Sequence, residues 1–338
     1  MKSSAISDTP YIEALHELAQ QDPDVVCVTC SHVAQAQLER SPSRIPQSLI
    51  TLPPGVASAI AFCAGLAREG YKPFLHASAV SLTRQANAVI ASQLAAPRLP
   101  VRLIGFEAGL AHEGGVAGQA IEDLSFFNQM PNFTVAEAGD AEELLSGLSL
   151  LNQVTGPVYL RTPLGEAPRL FDHAPKLKEP RVLSEGSDLM IISMGVCSAE
   201  VMRLTEALKK ARVQITHLHI FVLKPFPTDA LKRHLMQNPY KGVITLESHL
   251  SRGGLGTMVQ DVMFSSFYKD KMPPLLCLGL QDTFAQGGKT DYLLKKYGMD
   301  VSALLASIEH LMKRKVGVDA NDLPRSPWNA CYEKTPIA

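Results

Sequence analysis

The chain has 338 residues, 46% of them hydrophobic and 19% charged, with 23 glycines and 23 prolines. That length suits two ordinary domains, and the composition suits a soluble α/β protein. A net charge of −1 leaves no electrostatic footprint for nucleic acid or an anionic membrane.

The opening stretch MKSSAISDTPYIEAL is polar and lacks the apolar centre of a signal peptide. No run approaches the roughly 18 apolar residues of a membrane span, and the longest, Val56 to Ala67, reads as a buried helix. A helix is predicted over residues 8–21, opened by Thr9-Pro10, with Ile12, Leu15 and Leu18 on one face. DVVCVTC and SLITLP read as strands, and Gly55 to Gly70 as a helix of small residues. KPFLHAS is a strand, Leu82 to Leu94 a helix, and VRLIGFE a strand ending in the glycine-rich loop AGLAHEGGVAGQ. A helix at Ala120–Met130, strand FTVAEA, a helix at Ala141–Val154 and strand PVYLRT follow. Apolar strands alternating with helices predict a mostly parallel sheet covered on both faces.

Residues 163–185 hold four prolines and mixed charges and read as a connector. A second α/β unit follows: strand DLMIISMG, a helix at Ser198–Ala211, strand ITHLHIF, a helix at Thr228–Met236, strands GVITLESH and LLCLGL, and helices at DYLLKKYG and VSALLASIEHLMKRK. The tail from Gly317 carries the single tryptophan, Trp328, and is expected to wrap a surface or a partner. The expected division is therefore a first domain at 1–165, a linker at 166–185, a second domain at 186–316 and a tail at 317–338. The six cysteines sit mostly within apolar runs, which suits buried thiols in a reducing cytoplasm. Cys27 and Cys30 form a CxxC, but on a strand and its exit rather than at a helix start, and no second Cys/His pair stands nearby.

Several stretches occur in the order of one family. AIAFCAGLAREGYKPFLHASAVSLTRQ, AGLAHEGGVAGQAIEDLSFFNQMPNFTVAEAGDAEE and GPVYLRTP lie in the first unit; LKPFPTDAL, ITLESHLSRGGLGTMV and GLQDTFAQGG with DYLLKKYGM lie in the second. Together they resemble the transketolase superfamily over roughly residues 10–312. The resemblance implies a pyrimidine-binding domain followed by a C-terminal domain, each a mostly parallel sheet flanked by helices. It also implies thiamine diphosphate and Mg²⁺ as cofactors. No GDG-type diphosphate motif occurs here, so the metal and diphosphate ligands are expected on a separate N-terminal-half subunit, in an α₂β₂ assembly.

Carried over residue by residue, the resemblance exposes departures. The family glutamate that bonds the pyrimidine N1′ falls on Val56, in LPPGVASA, and a valine cannot relay a proton. The stacking and pocket positions fall on Ser78, Val80 and Ser81, with Arg84 at the retained arginine and His76 expected near the pocket edge. In the loop, the family aspartate becomes Gly114 and the substrate-facing histidine becomes Gly118, while Gln119 is retained. His112 and Glu113 are candidates to replace the lost polar groups. The sugar-phosphate arginine position falls on Leu164, with Arg161 nearby; loss of a fixed guanidinium argues against an ordinary phosphosugar. Glu247, His249, Gly253 and Gly254 match the family's EEH…GGLG, and His249 joins Gln119 and Arg161 as a substrate-side candidate.

The resemblance implies a subunit of an enzyme that moves a two-carbon ketol or acyl unit to a non-standard acceptor, active only with its partner. Two alternatives stay open: a non-catalytic regulatory or scaffold paralogue that stabilises the partner, and a 2-oxoacid dehydrogenase beta-like subunit.

Overall fold

The computed structural model describes residues 5–39, 49–163, 165–267 and 272–332. In chain order the first unit contains β1 (Ile6–Ser7), α1 (Pro10–Gln21), β2 (Val25–Thr29), α2 (His32–Leu38), β3 (Leu49–Thr51), α3 (Val56–Arg68) and β4 (Lys72–Ser78). It continues with α4 (Ala79–Gln85), α5 (Asn87–Ile90), β5 (Arg102–Phe106), α6 (Asp123–Gln129), β6 (Thr134–Glu137), α7 (Ala141–Asn152) and β7 (Val158–Thr162). The connector holds β8 (Ala167–Pro168) and β9 (Arg181–Ser184). The second unit has β10 (Leu189–Met194), α8 (Ser198–Lys210), β11 (Ile215–Ile220), β12 (Val222–Lys224), α9 (Thr228–Gln237), β13 (Val243–Leu250), α10 (Leu255–Ser266) and β14 (Leu275–Leu280). Helices α11 (Thr290–Lys296), α12 (Val301–Met312) and α13 (Pro327–Tyr332) complete the described chain.

The first sheet has the order β12-β6-β7-β5-β4-β2-β3 and the second β14-β13-β10-β11-β9. In the first, every pairing is parallel except β12 with β6; in the second, every pairing is parallel except β9 with β11. Strands β2, β5, β6 and β7 are buried at every residue, so their sequences show no alternation between a core face and a solvent face. Parallel pairing also brings the carboxyl ends of β4, β5 and β7 to one edge, where open α/β sheets present their sites.

The two units are joined by more than the connector. Strand β12 comes from the second unit yet extends the first sheet. Asp140 caps α7 by accepting from the Glu143 amide at 2.8 Å, and its other oxygen accepts from the Leu170 and Phe171 amides, each at 2.8 Å. A buried polar chain crosses the joint: Glu143 to His219 at 2.9 Å, His219 to Ser198 at 2.6 Å, Ser198 to Ser193 at 2.7 Å, and Ser193 to His217 at 2.7 Å. Every member is essentially solvent-free, so each bond avoids the cost of a buried unpaired group.

Several expected elements differ in detail. The helix expected over Leu82–Leu94 is broken into α4, α5 and a π-turn at Ala91–Ala95. The helix expected from Ala120 begins at Asp123. Helices α2 and α10 and strand β12 had no counterpart in the sequence reading. The connector contributes β9 to the second sheet. In the tail, Trp328 and Cys331 pack into the first unit's core with Leu15, Phe74 and Leu144.

Candidate active site

Helix α3 starts directly after Pro53-Pro54-Gly55, with Gly55 at φ +154°. Its first residue, Val56, is 6% exposed and belongs to the apolar cluster of Ala59, Ile60, Cys63 and Leu82. Ser78 ends β4 and caps α4: its oxygen accepts from the Ser81 amide at 3.4 Å, and its hydroxyl donates to Ser81 Oγ at 2.8 Å. Both serines therefore mark the turn where β4 meets α4.

Arg84, at the end of α4, acts as a clamp. It pairs with Glu122, donates to the Val116 carbonyl, and reaches the Gln119 carbonyl at 2.9 Å. Its guanidinium also lies 5.8 Å from the centre of the Phe284 ring. Burial opposes the Glu122 charge, but the Arg84 guanidinium holds its carboxyl below the ordinary range. The arginine therefore fixes the loop that follows β5.

That loop carries several polar contacts of its own. Glu107, immediately after β5, has φ +58°, unusual for a residue with a side chain. Burial pushes its carboxyl up, opposed by the His112 ring. His112 Nε2 stands 3.6 Å from Glu107 Oε2, and both side chains are about one-fifth exposed, 23% and 22%. His112 Nδ1 accepts from the Gly114 amide at 2.8 Å. Gln119 is buried and donates its amide to the His112 carbonyl at 2.7 Å. The Glu113 carbonyl accepts from Gly288 at 2.9 Å, which ties the loop to the second unit. Glu107 was not among the sequence candidates; its place at a strand's carboxyl end, five residues before a histidine, was the available signal.

Three of the candidate residues lie buried. His76 does not sit at a pocket edge. It is fully buried in β4, bonded to Tyr11 Oη at 2.6 Å and to the Val28 carbonyl at 3.0 Å, with Phe106 stacked alongside. Burial lowers its pKa to about 4, so it is a neutral core histidine. His249 is equally buried; its Nδ1 meets the Leu250 carbonyl at 2.7 Å and its Nε2 accepts from the Ser125 amide at 3.2 Å. Both nitrogens meet backbone groups.

Arg161 is 2% exposed and contacts Asp123 at 3.0 Å, Glu137 at 3.1 Å, and the carbonyls of Ala120 and Ser248 at 3.2 and 2.9 Å. It locks the two units together instead of offering a free cation. Leu164 lies outside the described residues. The GGLG stretch has a local explanation as well. Glu247 accepts from the Leu255 and Gly256 amides at 2.7 and 2.8 Å, capping α10, and a Cβ on Gly254 would collide with that carboxylate.

Cys27 and Cys30 are buried, and burial raises the Cys30 thiol, the reverse of what a redox cysteine needs. A separate cavity of about 390 Å³ is lined by Glu143, His173, Arg181, His219 and His234, and none of the sequence-derived site residues reaches it.

Two family models match the chain: the transketolase pyrimidine-binding domain over residues 9–168 and the transketolase C-terminal domain over 179–304. The chain belongs to the transketolase family. Among its relatives, the 6-deoxy-6-sulfo-D-fructose transketolase subunit SqwH of Clostridium sp. (strain MSTE9) is 28% identical over 309 residues, covering 90% of this chain and 94% of that one. A putative transketolase C-terminal section of Methanocaldococcus jannaschii is 26% identical over 310 residues, covering 90% and 96%. Among solved structures, a split-gene transketolase described as an inactive beta4 tetramer superposes with a TM-score of 0.81 at 25% identity, over 91% of this chain and 98% of that one. The chain is thus a transketolase-like subunit of the beta type.

The family implies thiamine diphosphate. The residues here fit it in part: Val56 can pack an apolar ring surface, but no carboxylate stands at the start of α3 to bond N1′. Among the described residues no group of three or more His, Cys, Asp or Glu is placed to hold a metal ion.

Proposed function

We propose that this chain is the pyrimidine-side subunit of a heteromeric, thiamine-diphosphate- and Mg²⁺-dependent transferase that moves a two-carbon ketol or acyl unit between carbonyl compounds. The single observation that carries the reading is its near-complete correspondence, over 98% of that chain, with the separately encoded beta subunit of a split transketolase. In this reading the N-terminal-half partner supplies the diphosphate and metal ligands, and the site forms where the subunits meet in an α₂β₂ assembly.

The cofactor, when bound, supplies a carbanion nucleophile able to carry the two-carbon unit. This chain contributes the wall: Val56 against the ring, the Ser78–Ser81 turn beside it, and the loop held by Arg84 and Gln119. Glu113 sits on that loop with its backbone anchored to Gly288. Exposed apolar side chains suit a subunit interface, among them Phe62 on α3 at 39% and Phe264 on α10 at 71%. One relative acts on a sulfonated ketose by its name, which is consistent with an acceptor or donor outside the ordinary pentose phosphates. Buried thiols fit a cytoplasmic setting, and no described helix is long and apolar enough to cross a membrane.

Val56 favours a second reading, a non-catalytic paralogue that stabilises the partner. One experiment separates the two. The chain is co-expressed with the N-terminal-half subunit, and the purified complex is assayed for thiamine diphosphate binding and C2–H exchange. The enzyme reading expects both; a well-folded complex with neither establishes the scaffold reading.

A further inference from the structure

The cavity of about 390 Å³ that stands apart from the sequence-derived residues lies where three parts of the chain meet. Glu143 lines it from α7 of the first unit, Arg181 from β9 of the connector, and His219 and His234 from β11 and α9 of the second unit. His173 and Lys176, both exposed, line it from the connector. Its volume falls within the range of about 300–1,000 Å³ usual for small-molecule sites.

The buried part of the lining is polar and held in place. Glu143 Oε2 is fully engaged: it accepts from the Gly139 amide at 2.9 Å and meets His219 Nε2 at 2.9 Å. Glu143 Oε1 is not. It is buried, it lies 3.5 Å from Arg181 Nη2, and it accepts no hydrogen bond among the described residues. Arg181 mirrors it. Its Nη2 donates to the His173 carbonyl at 2.6 Å, and the guanidinium lies over the Phe171 ring, 4.6 Å from its centre. Its Nε is buried and donates no hydrogen bond among the described residues. One acceptor and one donor on residues of the same cavity therefore lack their complements, an unfavourable arrangement that a matching ligand relieves.

Charge defines the ligand further. Arg181 and Lys176 balance Glu143 and Glu179 in number, but Glu179 is already held by Arg233 at 3.0 Å. One positive charge is left in excess, and Lys176 carries it on the exposed side, with the His173 and His234 rings also in the lining.

We infer that this cavity binds an acidic α-amino acid. The ammonium group donates to Glu143 Oε1, the α-carboxylate accepts from Arg181 Nε, and the side-chain carboxylate meets Lys176. Opposite charges 3.5 Å apart on the protein suit an ammonium and a carboxylate borne on one carbon. A plain anion such as phosphate would instead set its charge against the buried Glu143 carboxylate. Because the lining is drawn from α7, β9, β11 and α9, an occupant ties both units to the connector. The site stands apart from the proposed catalytic role and is tested without it.

Isothermal titration calorimetry on the full chain, with L-glutamate as the probe, reads the binding directly. Wild type should bind one equivalent with a Kd of about 1 mM or tighter. Glutarate lacks the ammonium and L-glutamine lacks the second carboxylate; each should bind at least about tenfold more weakly. Arg181→Lys keeps the charge but removes Nε, and Lys176→Glu reverses the charge on the exposed side. Each should weaken L-glutamate binding at least about tenfold. Both residues keep some exposure, so these variants remain informative if Glu143→Gln, which should abolish binding, fails to fold. L-Glutamate should also raise the thermal unfolding midpoint of wild type and leave that of Arg181→Lys unmoved at the same concentration. No binding by wild type at about 10 mM L-glutamate overturns the inference. So does glutarate or inorganic phosphate binding as tightly as L-glutamate, or unchanged affinity in either variant.

Discussion

At position 56 an apolar side chain opens α3, packed in the first unit's core at 6% exposure. Val56→Glu would place a carboxylate there. If the valine is matched to this enzyme's chemistry, the variant should exchange C2–H faster while turnover does not improve; a large gain in turnover would point to simple decay. His76→Leu is a structural substitution. It leaves the Tyr11 hydroxyl without its buried partner and should cost about 1–3 kcal/mol in denaturant unfolding.

Glu247 gives a pH signature. Burial, opposed by the Gly256 and Leu255 amides, pushes its carboxyl up to about 7. A carboxyl raised on folding binds its proton more tightly in the folded chain than in the unfolded one. Its contribution is therefore full below the unfolded value of about 4.3 and is lost as pH rises through about 7. The stability of wild type relative to Glu247→Gln should fall between pH 4 and pH 8; a difference that stays flat contradicts the assignment. The residue-level reading of the sequence found Val56, Gly114 and Gly118 because a family pattern marked them. It could not show how His76 and His249 are partnered, because partnering inside a fold is set by contacts distant in sequence: Tyr11 lies 65 residues from His76 and Ser125 lies 124 from His249.

Elements were legible where period and length were strong. Strand KPFLHAS and β4 coincide, and helix α1 starts within two residues of its expected place. Strand β12 escaped because three residues carry no period, and its partner β6 lies in the other unit. Helix α10 has a readable apolar spacing at Leu255, Val259 and Val262, but its start is fixed by Glu247 capping, which spacing does not reveal. Gly254→Ala tests that start. A methyl there would strike the Glu247 carboxylate and come 2.8 Å from His249 Nδ1. The cost should be about 1–3 kcal/mol by urea unfolding, and a neutral result would contradict the capping account.

At the scale of the molecule, two mostly parallel sheets are tied by a shared strand, by Arg161 and by the Glu143–His219 chain. That architecture was legible because apolar strands alternate with helices twice, on either side of a proline-rich connector. The joint was not, since its polar groups look like ordinary surface residues in a linear reading. Hydrogen bonds set the loop after β5 against residues 286–288, Gln119 to the Gln286 carbonyl and the Gly288 amide to the Glu113 carbonyl. Under the proposed function the cofactor is held only where two different subunits meet. Equilibrium binding of thiamine diphosphate with Mg²⁺, measured for this chain alone, for the N-terminal-half subunit alone and for the two together, tests that claim most directly. The account predicts stoichiometric binding by the complex and none by this chain alone; stoichiometric binding by this chain without the partner would contradict it.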